Sequence, residues 1–419
     1  MTPPSAPSPA AGASTRAARP STFSAFSDRN YLLYWLGLVC YVLGHRAEYV
    51  TFAWITWELT RDPLALAYLG LAQGVPLVVF QLFGGVLADR LDRLRLLIAT
   101  QVGLSLTLAV TLALAVSGRM RLGHLLVLAV LTNTFRAFDE PSRMALVPQL
   151  VGRERLPNAI ALGSIPWQAG RMIGPSLAGL LIAAFGGSVG FGMALAGSCA
   201  ALALYGQMRV SLTPPRSDGQ RVLRQFTDGL GFVARNFVFA SLIALALFNS
   251  LFAMSYLTLL PIFADTYFQM GPTGYGLLQA AHGAGALTAT FTVATFAHLI
   301  RRRGVAVLTG ATALGLVLMA FAYAPMIGLA VALLVGVGFC NTFYLTQVST
   351  YLQQQVPDQL RGRVMSLYSL CWNLMPLGGL LAGVLAAAVD ARFAVLAGGG
   401  VVAANALLLL ASPRLRAIR

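Results

Sequence analysis

Apolar residues run through the chain in twelve long blocks, at 31–58, 63–87, 94–117, 122–147, 156–185, 188–208, 236–263, 272–300, 304–322, 326–352, 362–388 and 391–411. A helix crossing a bilayer needs about 20 such residues, so each block predicts one transmembrane helix, and the longer blocks predict tilted or bent ones. An even number of crossings puts both ends of the chain on one side. Short polar connections join the blocks, except that 209–235 is long, polar and arginine-rich around Thr213-Pro214-Pro215. It divides the chain into a first six-helix bundle at 28–208 and a second at 236–411, with tails at 1–27 and 412–419. Internal similarity supports two parallel repeats. Block 2 reads YLGLAQG from Tyr68 where block 8 reads YGLLQAA from Tyr275, and block 5 reads SLAGLLIA from Ser176 where block 11 reads LLAGVLAAA from Leu380. Carriers built from such repeats hold their substrate near mid-membrane, between the halves.

Composition removes the soluble alternatives. The chain of 419 residues is 57% hydrophobic and 10% charged, with a mean hydropathy of +0.73, so its surface is lipid rather than water. All 29 basic residues are arginine, and the net charge is +15. These arginines gather in alternate connections, which by the positive-inside rule makes both termini cytoplasmic. They form no basic stripe with interleaved aromatics, so nucleic acid is not an expected partner. Without lysine there is no P-loop, and an ATP-driven pump of that type is excluded from this chain. No HExxH or GxSxG pattern suggests an enzyme. Cys40, Cys199, Cys340 and Cys371 lie singly in apolar blocks, without metal spacing, and are expected to be small buried hydrophobes. The Pro, Ala and Ser tail at 1–27 has a disordered composition and no apolar signal-peptide core. No cofactor is implied, which leaves an ion gradient as the energy source. The arginine, alanine and glycine bias points to a bacterial genome of high GC content, hence the bacterial cytoplasmic membrane.

The junction of blocks 2 and 3 reads GGVLADRLDRLRLL over 84–97. Paired glycines let helices approach closely, and Asp89 is placed to accept backbone amides at the start of the next helix. This segment resembles the loop signature of the major facilitator superfamily, matched at Gly84, Gly85, Leu87, Ala88, Asp89, Arg90, Arg93 and Arg95. Asp92 replaces the usual second glycine, as in the branch of enterobactin and macrolide exporters. The resemblance implies a loop that latches one state of an alternating-access cycle. The equivalent loop of the second half, FAHLIRRRGVAVL, keeps the arginines but has no aspartate. Block 5 contains Gly170, Arg171, Gly174 and Pro175, a flat face beside a bend. That resembles the antiporter motif of drug exporters in the same superfamily, with Ala161 and Ala178 where glycines are usual.

Ionisable groups deep in apolar blocks are functional candidates because they are costly there. Block 1 carries His45, Arg46 and Glu48. A carboxyl and an imidazole three residues apart share a helix face and suit a proton carrier; the alternative is a neutralised cluster that bends the helix. Block 4 ends with Arg136, Asp139, Glu140 and Arg143, spaced to pair along the helix. Arg136 resembles the arginine that superfamily antiporters use in proton coupling, although Glu140 stands where that motif has glycine. Asp139 and Arg143 fit equally an inner gate pairing with the Arg90 loop. Arg171 and His282 fall near mid-membrane, where Arg171 would attract an anionic or polar substrate group, or hold Glu48. His282 is either a site residue or a satisfied core histidine. Asn249, Asn341, Gln347 and Asn373 are candidate cavity donors, and Tyr34, Trp35, Trp54, Trp57, Trp167, Phe252, Tyr256, Phe343, Tyr344 and Trp372 candidate lining aromatics.

The expected architecture is therefore an all-α integral membrane protein of twelve transmembrane helices in two bundles, the major facilitator fold. The resemblance implies export of an amphipathic small molecule, drug or siderophore-like, by proton antiport, with membrane lipid as the other partner. A nutrient importer or uniporter, and a lipid translocator on the same fold, stay open.

Overall fold

The computed structural model describes residues 23–152, 154–209, 230–296, 298, 300 and 302–418, with the side chains of 81–90, 358 and 359 left aside. These residues form twelve long helical rods and short turns. The first six are α1 (Arg29–Thr60), α2 (Pro63–Arg90), α3 (Arg93–Val116), α4 (Leu122–Leu150), α5 (Leu156–Phe185) and α6 (Ser188–Gly206). The second six are α7 (Phe237–Tyr267), α8 (Gly271–Phe296), α9 (Arg303–Ala322), α10 (Ile327–Gln355), α11 (Asp358–Asn373 and Met375–Ala388) and α12 (Ala391–Leu410). Eight helices among the described residues are long and apolar enough to cross a membrane by composition. The remaining four, α1, α4, α5 and α8, fall below that mark because they carry the ionisable, glycine and threonine positions of the interior. Leu106, Phe291 and Leu408 project outward, uncovered by protein, as side chains facing acyl chains do.

Local chemistry sets the ends. Asp28 caps α1, its carboxylate accepting the amides of Asn30 at 2.8 Å and Tyr31 at 3.1 Å, and Asn236 caps α7 through Val238 at 3.0 Å. Asp92 caps α3, accepting from Leu94 at 2.9 Å and Arg95 at 3.0 Å. The capping role expected of Asp89 thus belongs to the residue three positions on, because α2 continues through Arg90 before the chain turns. The Asp89, Arg90 and Gly85 side-chain positions lie outside the described set. In α7 two wide turns, Asn249–Ala253 and Phe263–Tyr267, interrupt the regular ladder. Pro376 opens the second segment of α11 just after the break at Leu374.

Small residues make the crossings. Gly44 of α1 meets α6, where a Cβ on Gly197 would stand 3.1 Å from the Gly44 Cα. Gly285 of α8 lies against α10, where its Cβ would come 2.8 Å from the Phe339 nitrogen. Across the halves, α5 runs along α8 and α2 along α11. Both contacts are close at the distal end, away from the termini, where a Cβ on Gly179 would fall 2.6 Å from the Pro272 oxygen and one on Gly383 3.0 Å from the Pro63 oxygen, and α5 stays close to α8 as far as Gly283, whose Cβ would fall 2.6 Å from the Arg171 oxygen. In hydrocarbon no water is released by such packing, so dispersion at close backbone contact holds the helices together.

Several expectations need correction. Ser24–Ser27, counted with the tail, form a 3₁₀ turn whose Ala25 amide donates to Asn158 at 3.1 Å. Residues 1–22 lie outside the described set. The C-terminal segment ends in the turn Pro413–Arg416, and the Gly304 amide donates to the Ile418 oxygen at 3.2 Å, docking it on α9. Of the cysteines only Cys371 is buried, and Cys199 is exposed; lipid accepts a thiol as readily as a protein core does.

Replacing Gly285 by alanine should lower stability by about 1–3 kcal/mol through overpacking against α10. Alanine at Gly70, which has nothing within 4 Å of its Cβ position, should leave it unchanged. Thermal unfolding in detergent compares the two.

Candidate functional site

A cavity of about 790 Å³ lies between the halves. From the first half α1 contributes Arg46 and Tyr49, and α5 contributes Arg171 and Pro175. From the second come Met254 and Leu257 of α7, Gln279 and His282 of α8, and Tyr368, Trp372 and Met375 of α11. Helix α10 lines it from Asn341 through Thr346 to Gln353, nearly to its end at Gln355. The lining thus reaches the end of the molecule that carries the chain termini, while α7 and α8 close the other.

The distal closure is polar as well as tight. Asp265, in the second wide turn of α7, pairs with Arg61 and accepts from Trp57 Nε1 at 3.0 Å. Arg61 follows α1 in the left-handed region at φ 52°, which turns its side chain back over the Trp57 ring at 5.6 Å. Trp54 stacks on Tyr275 of α8 at 6.5 Å. Tyr267 donates to Asp390 and receives the Arg392 guanidinium on its face at 4.2 Å. Asp265 escaped the sequence reading because one acid beside a loop has no periodic signal; only the fold brings it to Arg61.

The ionisable residues of the first half fall into two groups. Glu48, 1% exposed, pairs with Arg136 of α4, 8% exposed. Glu48 is therefore held by Arg136 and not by Arg171, because it points into the first bundle rather than the cavity. His45 also avoids the cavity: its ring stacks on Tyr41 at 6.1 Å and meets the edge of Trp167 at 6.2 Å. One turn further along α4, Asp139 and Arg143 pair with each other. Thr100 donates to Asp139 at 3.3 Å, Arg143 donates to the Tyr205 hydroxyl at 2.5 Å, and the Arg143 guanidinium lies 4.0 Å from the Tyr41 ring centre. This pair is thus satisfied within α1, α3, α4 and α6; the Arg90 side chain, expected as its partner, lies outside the described residues. Arg93 donates to the Ala145 oxygen at 2.7 Å, tying the start of α3 to α4.

Arg46 and Arg171 remain, and among the described residues neither has an acidic partner. Arg46 lies 5.8 Å from the Trp167 ring centre. The block-5 glycines seat it: a Cβ on Gly170 would meet Val42 Cγ1 at 2.5 Å, and one on Gly174 would reach Arg46 Cγ at 3.0 Å. His282 Nδ1 shares a hydrogen bond of 2.9 Å with the Tyr256 hydroxyl. Of the expected donors and aromatics, Asn341 and Trp372 line the cavity, whereas Asn249 and Gln347 are buried outside its lining. Tyr49, Gln279, Thr342 and Tyr368 were missed, because a Tyr, Gln or Thr in an apolar helix gives no sign of which way it faces.

A family model described as a transmembrane secretion effector matches residues 20–418. The chain belongs to that family of major facilitator transporters. The transporter is 27% identical over 359 residues to the multidrug efflux pump Tap of Mycolicibacterium fortuitum, covering 82% of this chain and 86% of that one. It is 28% identical over 379 residues to the enterobactin exporter EntS of Escherichia coli, covering 87% and 85%. Among solved structures, the peptide transporter PepTSo superposes with a TM-score of 0.70 at 13% identity, over 91% of this chain and 97% of that one. The nucleoside transporter NupG superposes with a TM-score of 0.67 at 15% identity, over 91% and 98%. These two likenesses establish the major facilitator fold.

Removing one member of a buried ion pair costs about 3–5 kcal/mol, whereas replacing both by apolar residues is often neutral. Glu48→Leu should therefore unfold at a markedly lower temperature than Glu48→Leu/Arg136→Met; equal losses would mean the pair is not the tie between α1 and α4. At the distal closure, where the Arg61 and Asp265 side chains are 55% and 22% exposed, Asp265→Asn should shift the balance of states by up to about fivefold, roughly 1 kcal/mol. Spin labels at Asp62→Cys and Gln269→Cys, on a background without the native cysteines, should then report longer distances. An unchanged distribution would show that the pair does not bias closure.

Proposed function

We propose that the transporter exports an amphipathic small molecule by proton antiport, with Glu48 carrying the proton. The observation behind this is the placement of the Glu48–Arg136 pair. It is sealed in the first bundle, yet Glu48 shares α1 with Arg46 and Tyr49, which line the cavity. A proton arriving at Glu48 cancels the pair and leaves Arg136 buried without a counter-charge, so α1 and α4 must repack. Because α1 also carries part of the cavity wall and ends at the Arg61–Asp265 contact, that repacking reaches substrate and distal closure together.

In this reading the state with Glu48 paired to Arg136 is open toward the termini, the side that the arginine distribution assigns to the cytoplasm. It accepts substrate from the cytoplasm or inner leaflet. Proton uptake from outside then accompanies release, and substrate shifts the balance only through its different affinity for the two states. Export as the direction is supported by the names of Tap and EntS. The cavity also combines apolar Met254, Leu257 and Trp372 with polar Gln279 and Asn341, as an amphipathic cargo requires.

Proton flux into proteoliposomes carrying a pH gradient tests the reading, with a panel of lipophilic drugs and siderophores added in turn. The expected result is compound-dependent collapse of the gradient by the wild type and none by Glu48→Gln. Compound movement without proton movement would sink the antiport mechanism, making the protein a uniporter and Glu48 a structural residue.

A further inference from the structure

We propose that the cavity selects an anionic amphiphile, whose carboxylate, sulfonate or phosphate group sits between Arg46 and Arg171. This rests on the cavity being the substrate site of an exporter. Among the described residues its lining holds these two arginines and no aspartate or glutamate. The buried acids of α1 and α4 are already committed, Glu48 to Arg136 and Asp139 to Arg143. Two guanidinium groups facing one space repel each other, and a bound anion is the counter-charge that relieves this.

The donors are also free to act. Arg46 Nε is buried without a hydrogen-bond partner, although the Gly174 face and Trp167 fix its stem. A guanidinium so positioned offers the paired N–H groups that a planar or tetrahedral oxyanion accepts. His282 across the cavity is held by Tyr256 at 2.9 Å, so its ring faces the space in a fixed orientation. Met254, Leu257, Leu345 and Trp372 give the apolar remainder of the cargo its contact. A lipophilic cation in the same place would meet two positive charges with no acid to offset them. Outward movement of a negative charge also runs down an inside-negative membrane potential, which suits export of an anion and opposes its uptake.

Binding of two dyes sharing the xanthene ring system tests this: fluorescein, an anion, and a rhodamine ester, a cation. Fluorescence anisotropy with purified full-length protein should give at least about tenfold tighter binding of fluorescein, since charge-assisted hydrogen bonds are the stronger class. Arg171→Gln and Arg46→Gln should each weaken fluorescein by about tenfold or more while leaving the rhodamine ester unchanged or tighter. Arg171→Lys, which keeps the charge, should retain most of the preference, and matching thermal unfolding midpoints separate lost binding from lost folding. No preference for fluorescein, including no binding of either dye, overturns the proposal, as does a preference that survives both glutamine variants. Competition assigns the source of the anion. Displacement of fluorescein by lysophosphatidylglycerol supports a lipid anion, and displacement by a catechol carboxylate but not by the lipid supports a soluble one. Charge-selective binding without dye transport would refute the export reading and leave the anion site standing. Proton-coupled transport of both dyes alike would do the reverse.

Discussion

A charge inside hydrocarbon must find an opposite charge, and the first bundle is arranged around that demand. Glu48 and Arg136 join α1 to α4, and Asp139 and Arg143 lie one turn further along α4. Tyr205 of α6, Thr100 of α3 and Tyr41 of α1 complete the second pair. Four helices thus converge on two ion pairs. The pairs need not add stability over an apolar core of the same shape, because desolvation offsets most of their attraction. What the first provides is register: slide α1 by one residue against α4 and Glu48 and Arg136 are both orphaned, while Asp139 and Arg143, both on α4, keep each other and lose only the Tyr41 contact.

The two halves meet by a different rule. Where α5 crosses α8 and α2 crosses α11, backbone approaches backbone through Gly179, Gly276 and Gly383, and Gly74 faces the Pro376 ring. Such contacts are short in range and uncharged, so they can separate without stranding a charge. The Arg61–Asp265 pair, the neighbouring Trp57 bond and the Trp54–Tyr275 stack reinforce them at the distal end. The pair is partly exposed, hence weak and reversible, as a closure that must open in every cycle requires. The ties within the bundle are buried ion pairs, whereas those between the halves are uncharged or partly exposed and lie around a central cavity.

Departures from the superfamily pattern acquire physical reasons in this setting. Asp92, which replaces a glycine of the loop signature, caps α3 with two amides. The glycines of the antiporter-like segment do not make a crossing with the second half. They make room on α5 for Arg46 of α1, so that a packing motif and a cavity charge are one feature. The cavity lining also carries two arginines and, among the described residues, no acid.

The succession of apolar blocks determined the number of helices and their ends to within a few residues, because lipid thickness and the need to satisfy the backbone admit no other spanning structure here. The motifs at 84–97 and 170–175 were enough to indicate the superfamily. Sequence also singled out Glu48, Arg136, Arg171 and His282, since charge in an apolar helix is conspicuous wherever it points. Direction was what it lacked. Whether Glu48 faced Arg136 or Arg171, and whether Asp265 met anything at all, depended on rotations of whole helices. Those rotations are fixed by glycine contacts between residues more than a hundred positions apart in several cases, such as Gly44 with Gly197 and Gly74 with Pro376. A linear pattern records how often a polar residue occurs along a helix, whereas the partner it faces is decided by the packing of the other eleven.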